Sequence, residues 1–530
     1  MNSTKKVCTL QENETSRILS VWFNFKFRLL AGGIAVGLAA GIVVVLYRYV
    51  LEKTLELILG LYDFLNHHLL LIPVWALFLI GAGWLTGKLV NMQPMISGSG
   101  IPQVKGILQN KLQMNWWKTL LAKFLGGTLS IGTGLSLGRE GPSIQIGASV
   151  GQGISEWLRR SKTEAHMLIT CGASAGLAAA FNAPIAGVIF ALEEVHMNFS
   201  PLIMIAALGS SLVADFVSKE FFGLNPIFHF SSISTLPLNQ YLHLILLGFV
   251  VGIAGMGFNK AIYVFQDFYR KTNRVPAEYR PILPFLISGV LGLSLPQVLG
   301  GGNHLVNEMI SGNFPLRLLI IIFVVKFLFT MFSYGSSAPG GIFLPMLVIG
   351  GMIGVLYCKA VNGITGGALS ESGFLILAMA GYFTASVRAP ITGIILITEM
   401  TGSFTNLLST GVVCLVAYMT AEMFRSHPIY EVLLSRFLRQ DKGQEDRTPS
   451  EKIIMEFPIH KGSSLDGLQI KEFHWPGHCL IVSVKRGSQE LIPAGDITIL
   501  AGDYLTVLTD DKYASTVRQR LHQVSVSTVF

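Results

Sequence analysis

Beyond Met92 the apolar stretches of this chain become short, because clusters of glycine, proline and serine cut into them. The clusters are SGSGIP (97–102), GTGLSLGREGP (132–142), FNAPIAG (181–187) and SSAPGGIFLP (336–345). Helices laid over such a sequence stop partway through a membrane. A broken helix facing lipid would leave backbone N–H and C=O groups unpaired at a cost of several kcal/mol each, so breaks are tolerated only inside protein or around a wet cavity. The interruptions therefore point inward, toward a site.

Composition places these segments in lipid rather than water. Of 530 residues, 51% are hydrophobic and 13% charged, with 56 glycines, a profile that excludes disorder, a collagen-like fibre and a disulfide scaffold. Cys8, Cys171, Cys358, Cys414 and Cys479 are scattered and odd in number, with no CxxC pair. They read as free thiols, and no metal site or cofactor is expected. No basic, aromatic-interleaved face suggests nucleic acid, and the net charge of +8 fits cytoplasmic loops facing anionic lipid.

Residues 1–26 carry Lys5, Lys6, Arg17 and Lys26 without a cleavable apolar core, and read as a cytoplasmic N-terminal segment. Long apolar runs follow at Phe27 to Val50 and Leu69 to Val90. Eight charged residues lie between 316 and 426, against 25 between 427 and 530, so the tail is aqueous. The expected division is a membrane domain at 27–438, a linker at 439–451 and a small α+β domain at 452–530. In the last, CLIVSVKR, ELIPAG, ITILAG and YLTVLTDD read as strands and KYASTVRQRLHQV as a closing helix.

The membrane part repeats itself. Lys123, Phe124 and Leu125 recur as Lys326, Phe327 and Leu328, 203 residues later, and Gly132, Pro142, Ile146 and Gly147 meet Gly335, Pro345, Ile349 and Gly350 at the same offset. APIAGVIFALE (183–193) matches APITGIILITE (389–399). The halves run from about 98 to 222 and from about 301 to 426. Duplication kept for packing is one reading. The other is a secondary transporter, in which paired interrupted segments mark a midplane site, and half-helix N-termini aim orphan N–H groups and a positive dipole end at an anion.

Several residues suit that second reading. In GSGIP, Gly98 and Gly100 allow close backbone approach and Ser99 can donate a hydrogen bond. In GREGP, Gly138 and Gly141 flank Arg139 and Glu140, whose charges are costly between apolar stretches. The two either form a buried pair or lie at an interface, or Glu140 occupies an anion's place at a helix N-terminus and leaves it once protonated. In GGIFLP, Gly341 precedes Ile342 and Phe343, which could contribute only backbone N–H. Tyr430 is either an interfacial anchor or a phenolic donor. Glu193 pairs with Glu399 in the repeat, whereas Glu194 has no acidic counterpart and is either a proton relay or a solvated helix end.

With GSGIP, GREGP, GGIFLP and the late Tyr430 in this order, residues 27–438 resemble the CLC family of chloride channels and chloride/proton antiporters. The resemblance implies an all-α polytopic membrane protein with two inverted-topology repeats of broken, tilted helices, assembled as a homodimer with one pathway per subunit. It implies chloride bound by Ser99, Tyr430 and the Ile342 and Phe343 amides, an anion pathway bordered by Gly98, Gly100, Gly138, Arg139, Gly141 and Gly341, a gating glutamate at Glu140 and an internal proton glutamate at Glu194. It further implies a multi-pass protein of the cell (inner) membrane with both termini in the cytoplasm. Gln103 departs from the family's usual GSGIPE and leaves the partner of Lys123 open. Residues 452–530 resemble the TrkA C-terminal domain, which implies an unidentified small ligand.

The expected activity is chloride/proton exchange, with a passive chloride channel as the alternative. GLSLG (134–138) and GASAG (172–176) satisfy GxSxG, but neither has the strand, turn and helix setting of a hydrolase, so no enzyme is expected.

Overall fold

The computed structural model describes residues 2–228, 236–271, 275–310, 314–367, 369–441, 452–487 and 489–525. They form two compact units, Met1–Leu438 and Arg439–Phe530.

The first unit opens with α1 (Asn2–His67), a single helix of 66 residues. The N-terminal segment expected at 1–26 is helical and runs on into the first apolar stretch, since no glycine or proline interrupts the chain before Gly32. Then come α2 (Ile72–Met92), α3 (Ile101–Leu108), α4 (Trp116–Gly132), α5 (Glu140–Trp157), α6 (Lys162–Phe181), α7 (Pro184–Phe190) and α8 (Pro201–Phe222). The second series is α9 (Tyr241–Lys271), α10 (Ile282–Ser294), α11 (Asn303–Ile310), α12 (Leu316–Gly335), α13 (Phe343–Thr365), α14 (Glu371–Val387), α15 (Pro390–Thr401) and α16 (Leu407–Met423), followed by α17 (Ile429–Asp441). Among the described residues six helices are long and apolar enough to span a bilayer. Apart from α6, the others of the first unit are short or begin at the glycine and proline clusters.

The two series correspond helix for helix, so the repeat is longer than the matching residues. Its mark is the same chemistry at the same place. Lys123 on α4 donates to the carbonyls of Ile96 (2.9 Å) and Gly98 (2.7 Å), while Lys326 on α12 donates to Val298 (2.8 Å) and Gly300 (2.6 Å). Each buried lysine Nζ caps the turn that precedes a short helix, α3 or α11, and supplies donors to carbonyls no helix satisfies. The partner of Lys123 is therefore backbone. Gln103 itself donates to the Ser97 carbonyl.

Two further contacts cross between the halves. Glu193 accepts from the N–H groups of Ile391 and Thr392 at the start of α15, and Glu399 accepts from Ile185 and Ala186 at the start of α7. Each carboxylate caps the other half's helix, which favours both partners through unpaired N–H groups and the dipole. At the centre, Gly138 and Gly341 exchange two backbone hydrogen bonds of 2.7 Å. Elsewhere α1 lies close on α8 because Gly33, Gly37 and Gly41 form one face against Ala206, Ser210 and Ala214, where a Cβ at Gly37 would run into the Ser210 backbone.

In the second unit, β1 (Lys452–Pro458), β2 (Cys479–Arg486), β3 (Gln489–Leu491) and β4 (Asp503–Asp510) form an antiparallel sheet in the order β1-β4-β2-β3, with α18 (Asp511–Ser525) after it. Met455, Phe457, Val484, Leu505, Val507, Val517 and Leu521 make its own core. Two expectations need correction. ITILAG forms no strand; its backbone instead bonds to the loop at 467–470, since the turn at Ala494 to Ile497 ends the extended run. Residues 452–458, unassigned from sequence, form β1. Of the linker expected at 439–451, residues up to Asp441 continue α17 and the rest lie outside the described residues.

Candidate ion-binding site between helix ends

The N-termini of α3, α5 and α13 meet at the brace between Gly138 and Gly341. Gly100, with φ of 95°, turns the chain into α3. Ser99 just before it is buried, and its hydroxyl lies against the Cα of Gly141, where any side chain would collide with it. Position 141 must therefore be glycine for α5 to approach Ser99.

Ser99 Oγ, Tyr430 Oη and both carboxylate oxygens of Glu140 are buried without a hydrogen-bonding partner of good geometry in the protein. Four such atoms in one region are unusual, because buried polar groups are nearly always satisfied. Tyr430 is fully buried, which rules out the interfacial anchor. Its ring meets Phe190 edge-on at 6.4 Å, Phe190 meets Phe343 at 5.8 Å, and Phe343 packs on Phe181 and Phe383. This aromatic stack fixes the start of α13. The Ile342 and Phe343 N–H groups belong to its first turn, ahead of the first intrahelical bond, from Met346 N–H to the Ile342 carbonyl, so they lack intrahelical acceptors. Hydroxyls and N–H groups together make a donor set suited to an acceptor-only ligand, an anion.

Glu140 is fully buried at the first position of α5. Its carboxylate lies beside Gly138 and the start of α13 at Leu344, between two positive helix ends. The buried-pair reading fails, because Arg139 turns away and donates to Glu52 at 2.6 Å. Arg48 also donates to Glu52, at 3.0 Å. These three line one side of a cavity of about 730 Å³ that reaches Leu344. The Glu140 carboxylate thus has no side-chain hydrogen bond and faces the two helix ends.

The glycines divide. The N–H groups of Gly98, Gly138 and Gly341 are spent on Ser337, Gly341 and Gly138 carbonyls, so these residues brace the pathway and offer it no donors. Glu193 is engaged in capping, as above, whereas Glu194 is 5% exposed and no solvated helix end. It sits in a π-helical turn, Ala191–His196, a local geometry common at functional sites. Lys105 Nζ, on α3, donates to Glu194 Oε1 at 2.8 Å.

Sequence reasoning missed Lys105. Its only signal was a cation in an otherwise apolar or amide-bearing helix, IPQVKGIL. The serines of the GxSxG matches are occupied elsewhere: Ser136 pairs with Thr330, and Ser174 with Ser211. Cys171, Cys358, Cys414 and Cys479 are free.

Residues 78–422 match the family model described as voltage gated chloride channel, and residues 454–522 match the TrkA-C domain. The chain belongs to the voltage gated chloride channel family. Within that family it is 36% identical over 366 residues to the H(+)/Cl(-) exchange transporter ClcA of Vibrio parahaemolyticus, covering 68% of this chain and 78% of the relative. The ClcA of Vibrio campbellii is 35% identical over 392 residues, covering 72% and 84%. The crystal structure of a slow cyanobacterial Cl-/H+ antiporter superposes with a TM-score of 0.74 at 33% identity, over 78% of this chain and 99% of that one. A CLC-type fluoride/proton antiporter shares the fold at 23% identity and a TM-score of 0.64, over 75% and 96%. The family fold confirms the expected architecture of broken-helix repeats spanning a membrane, and a small mixed domain follows in the sequence.

Proposed function

We propose that this chain is a secondary transporter that exchanges chloride for protons. The observation that carries the reading is Glu140: a buried carboxylate without a side-chain donor, placed between the α5 and α13 N-termini beside the orphan hydroxyls of Ser99 and Tyr430. Chloride is held by those hydroxyls and the Ile342 and Phe343 amides. An ionised Glu140 competes for the same positive ground, and a proton removes its charge so that the side chain swings out and chloride enters. Glu194 takes the proton on the other branch of the route.

The relatives named above support exchange over passive conduction, and transport over catalysis. The proposal includes a homodimer in the cell inner membrane with both termini in the cytoplasm, and a small ligand for residues 452–530; family membership is their support. In proteoliposomes read by chloride and pH electrodes together, a chloride gradient should drive protons uphill. Chloride flux without proton movement would make the protein a passive channel. The substitution Glu194→Gln should abolish proton movement while chloride still flows, and unchanged coupling would remove Glu194 from the mechanism.

A further inference from the structure

Lys105 lies in the last turn of α3, fully buried, with Nζ 2.8 Å from Glu194 and 3.5 Å from Glu431 on α17. The two carboxylates differ in environment, since the Glu194 side chain is 7% exposed and that of Glu431 43%. Glu431 can be stabilised by water, whereas an ionised Glu194 depends on the ammonium. Removing one partner from a buried ion pair leaves the other charge uncompensated and is strongly destabilising. Protonating Glu194 would do the same to Lys105, stranding a buried cation, unless a second anion stood in reach. Glu431 stands there.

We propose that Lys105 and Glu431 are positioning residues for proton loading: the Lys105 ammonium is held by Glu194 while that carboxylate is ionised and passes to Glu431 when Glu194 is protonated. The proton comes from water and forms an O–H bond on Glu194; Lys105 stays protonated throughout. The trio goes from net charge −1 to zero, and no buried charge is left uncompensated in either state. The other titratable groups around Glu194 are Glu193, committed to α15, Tyr430 from α17, and His196 of the same turn, which is hydrogen-bonded to Thr170 of α6. Electrostatic coupling of Glu194 to Lys105 and Glu431 accompanies the geometry. Ser99 lies two residues before α3 and Lys105 sits in that helix, only ~6 Å along its axis from Ile101 at 1.5 Å per residue, so one short helix joins the proposed chloride ligand to the ammonium.

This inference rests on Glu194 as the proton carrier, and its test separates the two. Proton and chloride fluxes would be measured against pH in proteoliposomes holding the full-length protein. Lys105→Met should move the midpoint of proton flux alkaline by about one unit or more, as expected when an adjacent opposite charge is lost, and Lys105→Arg should restore it. Glu431→Gln should move it acidic, and should do so only while Lys105 is present. An equal acidic shift from Glu431→Gln in the Lys105→Met background would mean simple repulsion between carboxylates and would overturn the proposal, as would unshifted midpoints with chloride flux intact. Proton flux surviving Glu194→Gln would instead defeat the underlying reading.

Discussion

A serine and a tyrosine hydroxyl buried without acceptors carry the strongest residue-scale signal in this protein. A hydrogen bond to a charged group contributes about 1.5–3 kcal/mol. Ser99→Ala should therefore weaken chloride binding roughly tenfold or more, measurable by titration calorimetry in detergent. Glu140→Ala should leave chloride turnover running but independent of pH and uncoupled from protons; an unaltered pH response would sink the gate. Glu140 was legible in sequence because a charge between apolar runs is expensive enough to need a reason. That Arg139 pairs with Glu52, 87 residues earlier, was not, since no local pattern relates them. Lys105 was hidden for the opposite reason: a lysine near a helix end reads as ordinary until its burial is seen.

Among the elements, the short helices behaved as their punctuation required. Pro184 and Pro390 start α7 and α15 in the first turn, where proline's missing N–H is no loss. The equivalence of Glu193 and Glu399 showed in the repeat; their exchange between halves did not, because sequence offset carries no direction in space. Losing such a cap costs about 1–2 kcal/mol, so Glu399→Ala should lower the apparent Tm in detergent, and Glu193→Ala should do so by a similar amount. A large fall in one and none in the other would contradict their equivalence. Strand reading fared worse in the tail, where β3 has only three residues and ITILAG alternates like a strand while its ends are held by turns.

On the scale of the whole molecule, the second unit has its own electrostatic hinge to pH. Burial alone would raise the pKa of Asp503, but the paired Arg486 hydrogen bonds at 2.8 Å and the Leu500 N–H outweigh it and hold the carboxyl below its ordinary value. A group depressed in this way contributes stability above its unfolded pKa of about 3.9 and loses it as pH falls through the folded value. Urea midpoints of residues 439–530, followed by circular dichroism, should drop below about pH 4, and Arg486→Met should already lower them at neutral pH. A flat profile for the unsubstituted domain would show that the pair adds nothing.

In the membrane unit, the mutual bonds of Gly138 and Gly341 sit where the halves meet, and the crossed carboxylates of Glu193 and Glu399 tie them again on the flank. A carrier that rocks one bundle against another has to shear its seam on every cycle. Here that would break two backbone bonds and strip two helix ends at once. The seam is riveted, and the swing of single side chains would let access alternate while these bonds stay closed.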